Sequence, residues 1–186
     1  MDLTSTHFPE LFYGGGFTRC DGTIEFYSRV NSLVNSSTIL LDYGAGDGKT
    51  VLNDVCEYRK NLRDFRKRVR TVFGADVSDA IFENEIIDTP LKIEADGKIP
   101  LLSDSVDIVV SDFVFEHISD PTQVIGEIER VLKPGGILCV RTPNKWSYFG
   151  VIVSSLNNSK IYDRFLKASQ PEQKTKRQIS NAVHAQ

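Results

Sequence analysis

With 186 residues, 40% of them hydrophobic and 25% charged, the chain suits one domain with a sizeable core and is short for two. A net charge of −3 supplies no general attraction to nucleic acid or anionic lipid, and no apolar run approaches the roughly 20 residues of a membrane span. Cys20, Cys56 and Cys139 lie too far apart for a paired metal spacing. Their odd number and the lack of a signal peptide predict free thiols in a reducing cytoplasm.

Residues 1–20, rich in aromatics and glycine, read as a flexible leader or as a lid in which Phe12, Tyr13 and Phe17 close over a ligand. From Asp21 the pattern turns helical, with Ile24, Tyr27, Val30 or Asn31, and Leu33/Val34 on one face. Asp21 or Thr23 supplies the N-cap. Asn35 to Ser37 stop this helix.

The run from Thr38 to Asp42 is β-branched and aliphatic and ends in a carboxylate, as a buried parallel strand should. Glycines then fall at every second position, 44, 46 and 48, before a second helical pattern begins. A strand that enters a glycine turn and opens a helix lets a ligand approach the backbone closely, with helix N–H groups directed at it. The spacing Asp42-x-Gly44-x-Gly46-x-Gly48 is not the dinucleotide fingerprint, which wants a glycine where Lys49 stands. Nor is it a P-loop: Gly48-Lys49-Thr50 imitates the end of one, but the first glycine comes one residue too late.

A helix from about Lys49 into the fifties should bury Val51, Leu52 and Val55. The basic stretch Arg59, Lys60, Arg63, Arg66, Lys67, Arg68 and Arg70 suggests either a nucleic-acid patch or a solvated surface. With no interleaved aromatic but Phe65, the solvated surface is the better reading. The second strand, Thr71–Asp76, also ends in an acid. Asp76 suits the two hydroxyls of a ribose, although it lies further from the glycines than the usual spacing of about 20 residues. The basic stretch accounts for the difference as an insertion, and a helix N-cap is the alternative role for Asp76.

A short helix from Ile81 to Asp88 precedes a third strand, Leu91–Gly97, with Asp96 near its tip. The fourth strand is Val106–Asp112. Asp120-Pro121 opens a helix with Val124, Ile125, Ile128, Val131 and Leu132 on one face, and Pro134-Gly135-Gly136 ends it and launches the fifth strand, Ile137–Val140. Strands alternating with helices predict an α/β fold: a doubly wound, Rossmann-like, mostly parallel sheet with helices on both faces. Ligands in such sheets sit beyond the carboxyl ends of the strands. Gly44, Gly46, Asp76, Asp96, Ser111 and Asp112 all fall there.

Residues 38–144 resemble the class I S-adenosylmethionine-dependent methyltransferases, in particular the ubiquinone-biosynthesis-like group that acts on small molecules. The likeness rests on Asp42-Tyr-Gly-Ala-Gly-Asp-Gly48, Gly74-Ala-Asp76, Glu94-Ala-Asp96-Gly97, Ile99-Pro100, Ser105-Val-Asp-Ile-Val-Val-Ser-Asp112, Glu116-His117-Ile118 and Val131-Leu-Lys-Pro-Gly-Gly136. It implies S-adenosylmethionine as cofactor. Asp42, Gly44, Ala45, Gly46 and Ser111 would then lie about its methionine and ribose parts, and Asp76 on the ribose hydroxyls. Val77 would pack on the adenine, with Asp96 and Gly97 at the adenine amino group. The acceptor would be a small molecule or, through Thr142-Pro143-Asn144, a surface glycan. A metal is not implied. Asp112 and His117 are the candidate general bases; a nucleic-acid base as acceptor is opposed by the missing Asn/Asp-Pro-Pro-Tyr signature.

The expected organisation is a cofactor domain at 21–144, a helical extension at 145–168 and a loose polar tail at 169–186. The fold would lack the family's last antiparallel strands, leaving the edge of the fifth strand open to self-association. Two other functions fit the same crevice: a nucleotide-binding protein without catalysis, and a nicotinamide-dependent oxidoreductase or epimerase. The latter is opposed by the glycine spacing and the absence of any Tyr-x-x-x-Lys pair.

Overall fold

The computed structural model describes residues 14–18 and 20–143. The extension and tail expected at 145–186, the region to which the expected lack of the last antiparallel strands refers, and Phe12 and Tyr13 of the leader lie outside the described residues. Helix α1 (Gly22–Leu33) precedes strand β1 (Ile39–Tyr43), and two short helices follow, α2 (Lys49–Leu52) and α3 (Glu57–Arg63). Then come β2 (Thr71–Asp76), β3 (Thr89–Lys92), β4 (Val106–Asp112), helix α4 (Pro121–Val131) and β5 (Leu132–Arg141). All pairings are parallel and the strand order is β3-β2-β1-β4-β5. The order reverses between β1 and β4, so a crevice opens at their carboxyl ends.

The sheet buries both faces. Tyr27 and Val30 of α1, with Phe65 and Val69, pack on Leu40, Val72, Ile108 and Val110. Ile128 and Val131 of α4 pack on Leu41, Tyr43, Ala75 and Val109 from the opposite side. Leu40, Leu41, Val109 and Val131 have no accessible surface, and each such side chain contributes about 1.5–3 kcal/mol. Capping follows the sequence signals. Asp21 accepts from the N–H groups of Thr23 and Ile24, both at 3.0 Å, and Asp120 caps α4 ahead of Pro121.

Four elements depart from the sequence reading, one of them the fifth strand, which runs from Leu132 to Arg141 and takes in Pro134-Gly135-Gly136 rather than starting at Ile137. The helix after the glycine turn ends at Leu52, and Val55, expected in the core, is 91% exposed. Asp54 is the cause: it accepts from the Cys56 N–H and is forked by Arg59, while Cys56 caps a separate helix. The third strand is Thr89–Lys92 rather than 91–97. Pro90 can lie inside it because β3 is a sheet edge. The expected helix over 81–88 is a 3₁₀ turn at Asp79–Glu83.

The basic stretch is less solvated than its composition suggests. Arg59 joins Asp54 to Asp21 and so ties α3 to the cap of α1. Arg66 pairs with Asp64, and Arg68 caps the end of α3 through the carbonyls of Asn61 and Leu62. No helix among the described residues is long and apolar enough to cross a membrane.

Candidate functional site

Two recesses meet at the glycine turn. The larger, a cleft of ≈ 370 Å³, is bordered by Tyr43 and Gly44 after β1, Asp76 and Val77 after β2, the Ile93–Gly97 turn, and the segment from Val114 to Val124. The smaller, a polar cavity of ≈ 70 Å³, is bordered by Asp42, Gly44, Ala45 and Thr50, with Tyr27 from α1, Arg63 from α3 and Asp112 from β4. Gly44 borders both.

The turn is held from outside. Asp76 accepts the Gly46 N–H at 2.9 Å on one carboxylate oxygen and the Ser78 N–H at 2.8 Å on the other. The side-chain amide of Asn84 donates to the carbonyls of Ala45 and Gly46 at 3.1 and 3.0 Å. Asp76 is thus fixed with lone pairs to spare at the edge of the cleft. Beside it Val77 is 69% exposed, a large apolar surface facing the cleft.

Around the small cavity the charges are crowded. Burial, and then the negative charge of Asp112, push the Asp42 carboxyl up to about 7, against the opposing pull of Arg63. Asp42 makes no side-chain hydrogen bond among the described residues. Asp112 is committed elsewhere: Arg141 forks it, with Nη2 at 2.6 Å, and the Tyr27 hydroxyl donates to it at 3.2 Å. Burial raises the Tyr27 phenol, followed by the charges of Asp42 and Asp112, so it stays a neutral donor.

Of the residues singled out from sequence, Gly44, Asp76, Val77, Gly97 and His117 border the cleft; Asp42, Gly44, Ala45 and Asp112 border the cavity. Gly46 borders neither, but a Cβ built on it would meet nothing within 4 Å. Asp96 lies outside the cleft because β3 ends at Lys92. Its carboxylate accepts the Lys98 N–H and its carbonyl accepts from Gln123, while Glu94, Ala95 and Gly97 form the wall. Ser111 is wholly buried and donates to the Tyr43 carbonyl at 3.1 Å, inside the sheet rather than in either recess. Tyr27, Arg63 and Gln123 carried no sequence signal as site residues. The periodicity of α1 and the charge of the basic stretch hid the first two.

A family profile described as a methyltransferase domain matches residues 41–140, more than half of the chain and the whole of this site apart from α1. The chain belongs to the class I S-adenosylmethionine-dependent methyltransferases. A curated relative from Mycolicibacterium smegmatis, described as a probable S-adenosylmethionine-dependent methyltransferase, is 45% identical over 52 residues, 28% of this chain and 20% of the relative. Malonyl-[acyl-carrier protein] O-methyltransferase 1 of Coxiella burnetii is 35% identical over 85 residues, 46% of this chain and 29% of that protein. The chain therefore matches only a fraction of the length of these relatives. The fold is shared with a SAM-dependent methyltransferase of Thermotoga maritima at a TM-score of 0.54 and 20% identity, over 86% of this chain and 69% of that one.

The family's cofactor is S-adenosylmethionine, and the residues present in this methyltransferase domain fit it. An adenosyl group needs a carboxylate for its diol and an apolar platform for its ring; Asp76 and Val77 offer them at the cleft. A cationic amino-acid end needs a carboxylate without another partner, and Asp42 is one. Among the described residues no cluster of side chains could hold a metal ion.

Proposed function

We propose that this methyltransferase binds S-adenosylmethionine across both recesses and transfers its methyl group to a small-molecule or glycan acceptor by in-line displacement. The reading is carried by the junction at Gly44, where an apolar cleft with a fixed carboxylate meets a polar cavity with an unpaired one. When bound, the cofactor supplies an activated methyl group on a sulfonium.

The chain's own part is then alignment, exclusion of water and charge matching. Asp76 holds the ribose hydroxyls, Val77 covers the adenine, and Asp42 faces the ammonium. Asp112, clamped by Arg141, acts as a fixed anion that steadies the wall of the cavity rather than as a base. His117 borders the cleft as well.

Isothermal titration with S-adenosylmethionine, S-adenosylhomocysteine and NAD tests the reading: the first two should bind at one site per chain and NAD should not. A panel of small-molecule and glycan acceptors then assays methyl transfer. Binding of NAD in preference to the adenosyl thioether would contradict the assignment.

Asp76→Ala should weaken cofactor binding by about 1–3 kcal/mol, because the hydroxyls lose their acceptor in a closed site and the Gly46 N–H loses its own. An unchanged dissociation constant would remove Asp76 from the site. Gly46→Val should weaken binding as well. The position has a φ of +54°, where a left-handed backbone costs a branched residue about 1–2 kcal/mol, and the new side chain enters open space beside the turn. Normal titration of that variant would show that the turn tolerates a side chain with the ligand in place.

A further inference from the structure

We propose that Arg63 recognises the carboxylate of a free α-amino acid group, so that the small cavity selects ligands that carry one. The proposal rests on the cofactor reading above and adds to it the residue that reads the amino-acid end.

Arg63 closes α3, and its side chain is turned inward, 16% exposed. Its guanidinium is poorly satisfied there. The two terminal nitrogens reach the Thr50 carbonyl and hydroxyl only at 3.3 Å. Asp54, the acid within range, lies 4.0 Å from Nη1 and is already forked by Arg59. Arg63 Nε is buried and has no partner at all, the one side-chain nitrogen or oxygen in that condition among the described residues. Buried donors of a fixed, always-charged fork are rarely left so, and when they are, a missing ligand or water is the usual reason.

The cavity beside it has the chemistry to complete the set. Its ≈ 70 Å³ is several times the roughly 10–15 Å³ that one water requires. Its wall carries one cation, Arg63, and two carboxylates, of which Asp112 is paired with Arg141 and Asp42 is not. A phosphate placed there would satisfy Arg63 and be repelled by both acids. A simple amine would satisfy Asp42 and leave Arg63 stranded. A zwitterionic α-amino acid group satisfies both, with its ammonium on Asp42 and its carboxylate on Arg63, where a planar fork suits it.

The test is a cycle between the side chain and the ligand's carboxylate. Wild type, Arg63→Met and Arg63→Lys are titrated with S-adenosylhomocysteine, with its decarboxylated analogue and with 5′-methylthioadenosine, which lacks the whole amino-acid end. Thermal melts report folding. Wild type should prefer S-adenosylhomocysteine over the decarboxylated analogue by about 10–100-fold, the range of a charge-assisted hydrogen bond. Arg63→Met should reduce that preference to within about threefold and leave 5′-methylthioadenosine affinity unchanged, with Arg63→Lys between.

The proposal is overturned if the preference persists in Arg63→Met, or if all three ligands weaken by one factor, the mark of a structural role. Should Arg63→Met not fold, Arg63→Lys and wild type decide. A wild type indifferent to the carboxylate, or an Arg63→Lys preference equal to that of wild type, sinks it. A wild type that binds none of the three removes the cofactor reading, and this inference with it.

Discussion

Gly44→Ala should be the most disruptive single substitution in the site, lowering stability by about 2–5 kcal/mol and abolishing measurable cofactor binding. Two independent costs add. The position has a φ of +83°, a left-handed conformation in which any Cβ costs about 1–2 kcal/mol. A Cβ there would also lie 2.2 Å from Val114 Cγ2 and 2.8 Å from Cγ1, so the loop after β4 must move, an overpacking cost of about 1–3 kcal/mol. Val114 forms part of the cleft wall, and Gly44 borders both recesses, so the displacement falls where the ligand would lie. Urea unfolding and titration with S-adenosylhomocysteine measure the two effects. A variant of wild-type stability that binds normally would show that Gly44 is not the tight junction described.

Asp42→Asn should change stability and binding in opposite directions. The carboxyl rises from an ordinary 3.8 to about 7 in the fold because burial and the charge of Asp112 penalise the ionised form. A raised acid holds its proton in the folded state at pH values where the unfolded chain has released it. Folding stability from this group is therefore lost as pH rises from about 4 to about 7, and the loss is complete above that. Asparagine has no charge to bury, so at pH 8 the variant should melt higher, by on the order of 2–8 °C for a domain of this size. The decline in stability between pH 4 and 7 should flatten.

Binding should suffer, since an amide cannot answer an ammonium as a carboxylate does. A loss of about 1.5–3 kcal/mol, roughly 10–150-fold, is expected. For the same reason wild-type binding near pH 6 should release protons, seen as a dependence of the titration heat on the buffer's ionisation enthalpy. A variant that melts lower at pH 8, or binds as tightly as wild type, would contradict the electrostatic account of this cavity.

Much of the fold was legible because its signals are local. Strands β1, β2 and β4 are dominated by aliphatic and β-branched residues, and Asp21 and Asp120 cap helices whose patterns begin beside them. The glycine spacing and the acid at the tip of β2 placed one wall of the site. What escaped depends on contacts distant in sequence. Val55 sits at helical spacing from Val51, yet the helix is cut by Asp54, whose partner Arg59 belongs to the next helix. Asp96 has the look of a strand tip, but β3 pairs with β2 only through Lys92, so the acid falls in the turn beyond and faces Lys98. Tyr27 and Arg63 reach the cavity from two different helices, and only the packing of α1 against α3 brings them to Asp42. A run of basic residues cannot announce that one of its arginines points inward.

The central claim is that one adenosyl cofactor lies over Gly44, its ribose on Asp76 and its amino-acid end on Asp42. A crystal structure of the protein with S-adenosylhomocysteine tests it most directly. The account predicts density running from the Val77 side of the cleft to the small cavity, with both ribose hydroxyls within hydrogen-bond distance of Asp76 and the ammonium within reach of Asp42. Density confined to another surface, or an adenosyl group with its ribose turned away from Asp76, would contradict it.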